Sequence, residues 1–549
     1  MMIIFIIFYI LISKNLINSQ SSCNKNIPNL NINSPIVCTE NGWVKGAKGI
    51  NYPNITFFKG IPFAAPPLNE LRWKEPQKVK NWNDIRDCTN YGSSCTQPTR
   101  KATPLNEENK KQQLLPVYVW IHGGAFTGSS SSDPIYDGEY LASKGIIFVS
   151  INYRLGALGF MAHKALREDN PQNRSGNYGL LDQIYALNWI KSNIREFGGD
   201  LNKITIGIIC ESGGAMHPRD PQNMYIWHYS IEKAANKSAN FLSKKNVNNQ
   251  ITAKQLRELP LNLIIENDII LDNDNNRDNW IGIPVLFHPI LDEYVIARTY
   301  EETMEKGLQN KVNVLMGYTF DEMGASPSLQ ITLDEYQNKV KNIYGKFSEE
   351  FLTSVENNAI REMTRISYNQ WANLWLKNSK LNVFQYAWSH APPVIKKRED
   401  NSFEMTGINI KNKSSENTLG AFHGSEITYF LNTLYMNKQI NWNKNDKQIA
   451  NIMSSYIINF IKNSDPNGQN LPKWNKQIIN QNTVMEIGNN FKQISLVNNG
   501  DLQKKGFAVI TIRKSKKFTQ NDIFGEKFLL EDLTIIKLLT FKISMVEWL

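Results

Sequence analysis

Short apolar runs and longer stretches of helical period follow one another along most of the chain. The runs with strand character are Val117–Ile121, Ile146–Ile151, Ile204–Cys210, Asn313–Tyr318 and Val383–Trp388. Stretches with the spacing of amphipathic helices lie between several of them, for example Leu180–Phe197 and Glu349–Leu376. Strands that alternate with helices are typical of a mostly parallel sheet with helices on both faces. We therefore predict an α/β fold with a large, mostly parallel central sheet in one large domain.

The N-terminal segment has a different pattern. An apolar run from Ile3 to Ile12 is followed by polar residues. The run is too short to span a bilayer and has the length of the apolar region of a signal peptide. We predict a signal peptide over residues 1–20, and a protein that is secreted or lies in the secretory lumen without stable membrane insertion. N-glycosylation sequons, which fit this route, begin at Asn54, Asn173, Asn236 and Asn412.

Composition and charge narrow the functional classes. Hydrophobic residues make up 41% of the 549 residues and charged residues 20%, which is typical of a globular protein and excludes global disorder. Lys and Arg exceed Asp and Glu by 61 to 51, but these charges are scattered and no nucleic-acid-binding motif accompanies them. Nor does any His, Cys or carboxylate spacing resemble a metal-ligand set. We therefore expect no nucleic-acid partner, no metal and no cofactor.

The chain has five cysteines, so at least one is unpaired. Cys210 ends an apolar run and is the expected free thiol. The others are Cys23, Cys38, Cys88 and Cys95. They allow three pairings, and all three stay open.

A serine follows one of the predicted strands in a glycine-rich turn. The strand that ends at Cys210 continues as Glu211-Ser212-Gly213-Gly214. A nucleophile elbow needs a reactive serine at a sharp turn from strand to helix, with small neighbours that do not collide. A serine in such a turn is more often structural, so this motif alone is weak evidence.

A second glycine-rich turn strengthens the interpretation. The strand Val117–Ile121 is followed by His122-Gly123-Gly124. Two successive glycines after a strand allow backbone N–H groups to point at one spot, as an oxyanion hole requires. A simple tight turn is the alternative. Both devices at strand ends, in the order found in hydrolases, favour a serine hydrolase.

A serine of ordinary pKa needs a base, and the base needs an orienting carboxylate. His122 belongs to the glycine loop, and His217 lies too close to Ser212 in sequence. The histidines left open are His163, His228, His288, His390 and His423. His423 is favoured modestly because it lies in a loop, whereas His390 ends an apolar strand and is expected to be a packed side chain.

The carboxylate candidates follow another predicted strand. Asp321 and Glu322 come directly after the run that ends near Tyr318. Sites in α/β sheets lie at the carboxyl ends of strands. Adjacent carboxylates in a loop are otherwise ordinary solvated charges.

Several longer motifs resemble the type-B carboxylesterase/cholinesterase family of α/β hydrolases. They include FFKGIPFAAPPLNELRWKEPQ from Phe57, PVYVWIHGGAF from Pro116, NYRLGALGF from Asn152, MGYTFDEMG and FHGSEITYF. These stretches occur in family order over about residues 35–490. The resemblance implies an α/β-hydrolase domain over residues 21–500, followed by an unassigned basic and apolar tail, 501–549.

The resemblance also implies a function. It implies a catalytic triad of Ser212, Glu322 and His423, and an oxyanion hole formed by the N–H groups of Gly123, Gly124 and Gly213. A small carboxylic ester would be hydrolysed through an acyl-enzyme on Ser212, with His423 as base and Glu322 as orienting acid.

The sequence departs from the family pattern around the serine and in two other segments. The family motif G-E-S-A-G reads C-E-S-G-G here, after a longer strand, and the next segment carries Pro218 and Pro221 in place of a helix. Family segments are also missing before Trp227 and between Cys95 and Pro116. The second of these segments is where cholinesterases normally have their choline-binding aromatic residue, so acetylcholine is not the expected substrate. The alternative is a catalytically impaired relative that acts as a binding or adhesion module.

Overall fold

The computed structural model describes residues 34–95, 97, 114–201, 207–212, 229–265, 270, 272, 285–322, 359–393, 402–405, 408–411, 420–438, 440–481 and 483–495. All of them except Ala359 belong to one compact unit, which comprises residues 1–328 and 360–496. The predicted signal peptide, Gly213, the segment with Pro218 and Pro221, and the 501–549 tail lie outside the described residues.

The described strands are β1 (Ile36–Thr39), β2 (Gly42–Lys45), β3 (Ala47–Lys48), β4 (Thr56–Phe57), β5 (Arg86–Asp87), β6 (Val117–Ile121), β7 (Ile147–Ile151), β8 (Gly207–Glu211), β9 (Asn313–Thr319), β10 (Val383–Trp388), β11 (Ser402–Met405), β12 (Ile408–Lys411), β13 (Thr483–Ile487) and β14 (Phe491–Ser495).

The described α-helices are α1 (Glu139–Ser143), α2 (Gly156–Phe160), α3 (Lys164–Asp169), α4 (Tyr178–Asn193), α5 (Ile231–Ser243), α6 (Ala253–Glu258), α7 (Leu261–Ile264), α8 (Tyr300–Glu305), α9 (Ala359–Ser379), α10 (Ile427–Phe430) and α11 (Lys444–Asn463). Short 3-10 helices cover Asn69–Leu71, Pro134–Tyr136 and Leu434–Met436. In this part of the chain, no helix is long and apolar enough to cross a membrane.

The central sheet is mostly parallel, as the alternation of strands and helices predicts. Five strands lie in the order β14-β13-β10-β9-β8, and only the outer pair β13–β14 is antiparallel. β6 and β7 form a further parallel pair. Parallel neighbours place their carboxyl ends at the same edge of a sheet, so the loops after β8 and β9 begin close together.

The sequence explains why β9 and β10 are central strands. Every residue of β10 is buried, and so are all residues of β9 except Asn313. Continuous burial is expected for parallel strands that are covered on both faces. Gly317 of β9 has to be a glycine, because a Cβ atom there would lie 2.3 Å from the Tyr386 ring. Helix α11 packs against this sheet through a core cluster that includes Phe384, Tyr386 and Phe460.

The predicted strand positions agree with the structure to within a residue or two wherever they are described. β8 continues through Glu211, one residue beyond the predicted end, and Ile204 lies outside the described residues. Ser212 therefore follows the last residue of the strand directly, as an elbow requires.

The predicted use of the cysteines is partly wrong. Cys210 is a buried free thiol, as predicted, but Cys88 and Cys95 are also free. Desolvation raises the pKa of Cys88 to about 11 and that of Cys95 to about 12, so both remain protonated and pack as small apolar groups. Only one pairing of the predicted framework is left, Cys23 with Cys38, and it stays a prediction.

Candidate active site

Ser212 lies at the carboxyl end of β8 in a backbone conformation that non-glycine residues rarely adopt. Its φ angle is 48°, in the left-handed region. Its N–H donates to the Gly317 C=O of the neighbouring strand at 3.0 Å, which fixes the turn against the sheet. The residue is 7% exposed. A serine held in a strained turn at a strand end is the expected geometry of a nucleophile elbow.

His423 and Glu322 are paired, as predicted. Glu322 Oε2 accepts a hydrogen bond from His423 Nδ1 at 2.5 Å, and Glu322 Oε1 accepts one from the Thr319 N–H at 2.8 Å. With Nδ1 as the donor, Nε2 is left as the acceptor of the neutral imidazole. The pair therefore has the tautomer and the orienting carboxylate that a general base needs.

Asp321 brings the two loops of this pair together. Its N–H donates to the Ala421 C=O at 3.0 Å, and its Oδ2 accepts from the Ala421 N–H at 2.7 Å. Gly420 has to be a glycine here, since its φ angle is +68° and a Cβ atom would lie 2.2 Å from Asp321 Oδ2. The adjacent carboxylates after β9 thus have separate tasks: Asp321 joins the loops, and Glu322 orients His423.

The hydroxyl of Ser212 makes a hydrogen bond that the sequence did not predict. Ser212 Oγ donates to Glu426 Oε1 at 3.2 Å. The hydrogen bonds between described residues include none between Ser212 and His423. Glu426 lies three residues after His423, and the charges of Glu322 and His423 both act on it. The structure thus joins His423 to Glu322 and joins Ser212 to this loop through Glu426.

Glu426 is the functional candidate that the sequence interpretation missed. It is 0% exposed, and burial raises its pKa to about 7, with the Glu322 charge adding to the shift. The segment FHGSEITYF contains it, but a glutamate in a loop carries no sign of burial. The one feature of the sequence that could have indicated Glu426 is its position directly before α10, three residues after the candidate base.

Glu211, next to the serine, is a second buried carboxylate. Neither of its oxygens has a hydrogen-bond partner among the described residues. Desolvation raises its pKa well above the ordinary value, and the charge of Glu426 raises it further. Glu211 and Glu426 are therefore two buried carboxylates that cannot both ionise cheaply, and Glu426 is the one that accepts from the Ser212 hydroxyl.

The glycine loop after β6 has the backbone strain expected of a functional turn. Gly124, Ala125 and Phe126 have φ angles of 107°, 51° and 64°. A Cβ atom on Gly124 would lie 2.1 Å from the Gly128 C=O oxygen, so only glycine fits. Gly123 and Gly124 directly follow β6, where an oxyanion hole requires them, whereas Gly213 lies outside the described residues.

His122 supports this loop and is excluded as the base. Its Nδ1 lies 2.9 Å from the Gly123 C=O oxygen, and its ring stacks on Tyr153 at 4.7 Å. Burial lowers the pKa of His122 to about 4, so the ring is neutral at physiological pH. It shapes the glycine loop and does not face a carboxylate in the way that His423 does.

The other described histidines have structural surroundings. His390 is 8% exposed and its Nε2 lies 2.8 Å from Asp446 Oδ1, which ties the end of β10 to the first turn of α11. This confirms the interpretation of His390 as a packed side chain. Burial lowers the pKa of His288 to about 4 and also lowers that of His163. His217 and His228 lie outside the described residues.

Comparison with known proteins agrees with this geometry. The model of the carboxylesterase family matches residues 33–218 and 207–504. The two matched segments overlap at residues 207–218, the stretch that contains Ser212. The family model therefore matches both halves of the chain, and its two matched segments overlap around the candidate nucleophile.

Individual relatives include named esterases. A fumonisin B1 esterase of Sphingopyxis macrogoltabida is 34% identical over 311 residues, which are 52% of this chain and 55% of that protein. A para-nitrobenzyl esterase of Bacillus subtilis is 33% identical over 321 residues, 52% of this chain and 63% of that protein. The matches thus span little more than half the length of these curated relatives. A crystal protein of Dictyostelium discoideum is 27% identical over 488 residues, 80% of this chain and 85% of that protein.

A solved PNB esterase structure superimposes with a TM-score of 0.65 at 23% identity, covering 86% of this chain and 99% of that one. At this identity the likeness concerns the fold alone.

Proposed function

The chain belongs to the carboxylesterase family and has the α/β-hydrolase fold, and from this premise we propose that it is a serine hydrolase of carboxylic esters. The observation that carries the proposal is the His423–Glu322 pair. It is supported by Ser212, whose φ angle is 48° at the end of β8 and whose hydroxyl is hydrogen-bonded to Glu426, three residues after His423. The three residues occur in the chain order Ser, Glu, His of the fold. This order and the His423–Glu322 pair support acyl transfer as the type of reaction.

The reaction proceeds in two halves. In the first, His423 Nε2 takes the proton of Ser212 Oγ while that oxygen attacks the ester carbonyl carbon. The tetrahedral oxyanion is stabilised by the N–H groups of Gly123, Gly124 and Gly213. His423 then gives the proton to the leaving alkoxide, which departs as the alcohol and leaves Ser212 acylated. In the second half, water attacks the acyl carbon with His423 as base, and the acid is released.

Glu322 makes His423 a competent base. Because Glu322 Oε2 accepts from Nδ1, the lone pair of the neutral ring is on Nε2, and the carboxylate stabilises the imidazolium that forms in each half-reaction. No metal or cofactor takes part in this scheme. The substrates we propose are small carboxylic esters.

We also propose that the protein is exported. The apolar segment Ile3–Ile12 has the length of a signal-peptide core. Asn54, Asn173 and Asn236 begin sequons and are exposed, as glycan acceptors need to be. The sequon at Asn412 lies outside the described residues.

The experiment expresses the full chain in a secretory host and purifies it from the medium. We expect the protein to hydrolyse p-nitrophenyl acetate and to be labelled by a fluorophosphonate. Ser212→Ala should lower turnover by at least about 1,000-fold and abolish labelling, because Ser212 is the nucleophile of the proposed acyl-enzyme. Ser389→Ala is the matched control: this serine is also buried, but its hydroxyl donates to Glu486, on the strand β13. It should be labelled as the wild type is.

The alternative is a family member that binds without catalysis. The absence of a Ser212–His423 hydrogen bond among the described residues favours it, and one long-matching relative is named a crystal protein rather than an esterase. A folded sample that resists the fluorophosphonate and leaves the ester intact would support this alternative. Retention of the protein inside the host cells would contradict export.

A further inference from the structure

The candidate nucleophile has an acceptor other than the candidate base. Ser212 Oγ donates to Glu426 Oε1 at 3.2 Å. Glu426 is fully buried, and its second oxygen, Oε2, has no hydrogen-bond partner among the described residues. An acceptor this poorly satisfied binds a hydroxyl strongly, because a buried unpartnered carboxylate oxygen is costly.

Glu426 and the candidate base His423 lie on one firmly held segment. Glu426 follows His423 by three residues at the start of α10, and its C=O accepts from the Tyr429 and Phe430 N–H groups at 2.9 Å. Trp388 Nε1 donates to Ser425 Oγ at 3.0 Å and attaches the segment to β10. The charge of His423 acts on Glu426, so the candidate base and the carboxylate that accepts from Ser212 are near neighbours on this segment.

The charge of Glu426 is set by its neighbours on every side. Glu211 at the end of β8, Glu322 in the loop after β9, Tyr386 on β10 and His423 on its own segment all interact with it electrostatically. Burial and Glu322 raise its pKa to about 7, while His423 and the hydrogen bond from Ser212 act in the opposite direction. Its charge therefore changes in the neutral range of pH.

The strength of the hydrogen bond follows this charge. A hydroxyl donates to an ionised carboxylate about twice as strongly as to a neutral acceptor. The ionised Glu426 thus retains the Ser212 hydroxyl, and the neutral acid competes poorly with the imidazole of His423.

We propose that Glu426 is a further catalytic residue of this esterase, which in its ionised form holds the Ser212 hydroxyl in a resting arrangement and, when protonated, yields it to His423. The inference rests on the proposed function and deepens it. Only a proton moves, from solvent to Glu426, and the Ser212 O–H then turns to His423 Nε2. No covalent bond to carbon forms or breaks in this step.

The test measures the second-order rate constant of fluorophosphonate labelling between about pH 5.5 and about pH 9.5. This range spans the neutral region in which Glu426 changes its charge. In the wild type the rate should fall toward high pH as Glu426 ionises. In Glu426→Gln the alkaline fall should be absent, so that at high pH this variant is labelled roughly tenfold faster than the wild type.

The matched control is Glu486→Gln. Glu486 is 8% exposed and its Oε1 accepts from the Ser389 hydroxyl at 2.9 Å, so the same exchange is made at a buried carboxylate that binds a different serine. Its labelling profile should coincide with that of the wild type.

The outcomes separate this inference from the proposed function. Labelling of both proteins with the same plateau at high pH overturns the inference and leaves the esterase proposal intact. A wild-type plateau overturns it even if Glu426→Gln does not fold. Labelling of Glu426→Gln alone supports it, and no labelling of either folded protein overturns both proposals.

Discussion

At the scale of single residues, the site depends on backbone conformations that its neighbours enforce. Ser212 has a φ angle of 48°, and Ala125 and Phe126 in the glycine loop are also left-handed. Such conformations cost on the order of 1–3 kcal/mol each and persist only where surrounding contacts impose them. The hydrogen bond from the Ser212 N–H to Gly317 is one such contact. The turn that would hold the nucleophile and the turn that would hold the oxyanion donors thus both carry backbone strain.

Gly124→Ala tests the glycine loop. The new Cβ atom would lie 2.1 Å from the Gly128 oxygen, so the loop has to move. Its N–H groups would then no longer point at the position of the oxyanion. We expect kcat/KM for p-nitrophenyl acetate to fall by about 100- to 1,000-fold, the usual effect of losing one oxyanion donor. Gly198→Ala is the control, because Gly198 also has a positive φ angle but a Cβ atom there would meet nothing within 4 Å. Equal activities of the two variants would contradict this role.

At the scale of elements, a buried ion pair fixes the segment that supports the glycine loop. Arg154, between β7 and α2, makes two hydrogen bonds of 2.7 Å to the Asp182 carboxylate of α4. Both side chains are nearly inaccessible, at 6% and 9%. Two residues further on, the Gly156 N–H donates to the Phe126 C=O at 2.6 Å. Helix α4 thus positions the glycine loop through this pair.

Arg154→Met should destabilise the protein by about 3–5 kcal/mol, because it leaves the Asp182 carboxylate buried and unpaired. Lys164→Met is the control: its ammonium lies 3.7 Å from Glu168 and the side chain is 83% exposed. Removal of that surface pair should change the free energy of unfolding by less than about 1 kcal/mol. Denaturant unfolding of both variants measures the difference. Similar, small changes in the free energy of unfolding of both variants would show that the buried pair contributes little to stability.

At the scale of the whole molecule, the buried carboxylates make stability depend on pH. The pKa of Glu426 is raised from an ordinary 4.5 to about 7 in the folded protein. A raised carboxyl pKa means that the folded state binds the proton more tightly than the unfolded state does. The resulting stabilisation is complete below about pH 4.5 and is lost as the pH rises through about 7.

Glu426→Gln should therefore be more stable than the wild type above neutral pH, by up to about 3 kcal/mol, because the variant has no charge to bury. The difference should shrink toward zero at about pH 4.5. Thermal unfolding across this pH range measures it, with Glu486→Gln as the control for the same exchange elsewhere. A stability difference that does not vary with pH would contradict the raised pKa.

The alternation of apolar runs and helical stretches was sufficient to predict the mostly parallel sheet and the positions of β6, β9 and β10. These features are encoded locally, because burial of a strand and the turn that follows it depend on neighbouring residues. The same local signals located Ser212 after β8 and Gly124 after β6. The pairing of His423 with Glu322 was an expectation from family resemblance, and the structure confirms it across a separation of 101 residues.

The tertiary structure alone decided the hydrogen-bond partner of the nucleophile, the state of the cysteines and the charges of the buried groups. Glu426 meets Ser212 across 214 residues of sequence, and Cys88 and Cys95 stay as separate thiols. Burial and distance determine each of these outcomes, and both arise only when remote segments pack together. The sequence by itself determined Ser212, Glu322 and His423 as candidates, and the packing decided which of them touch and added Glu426.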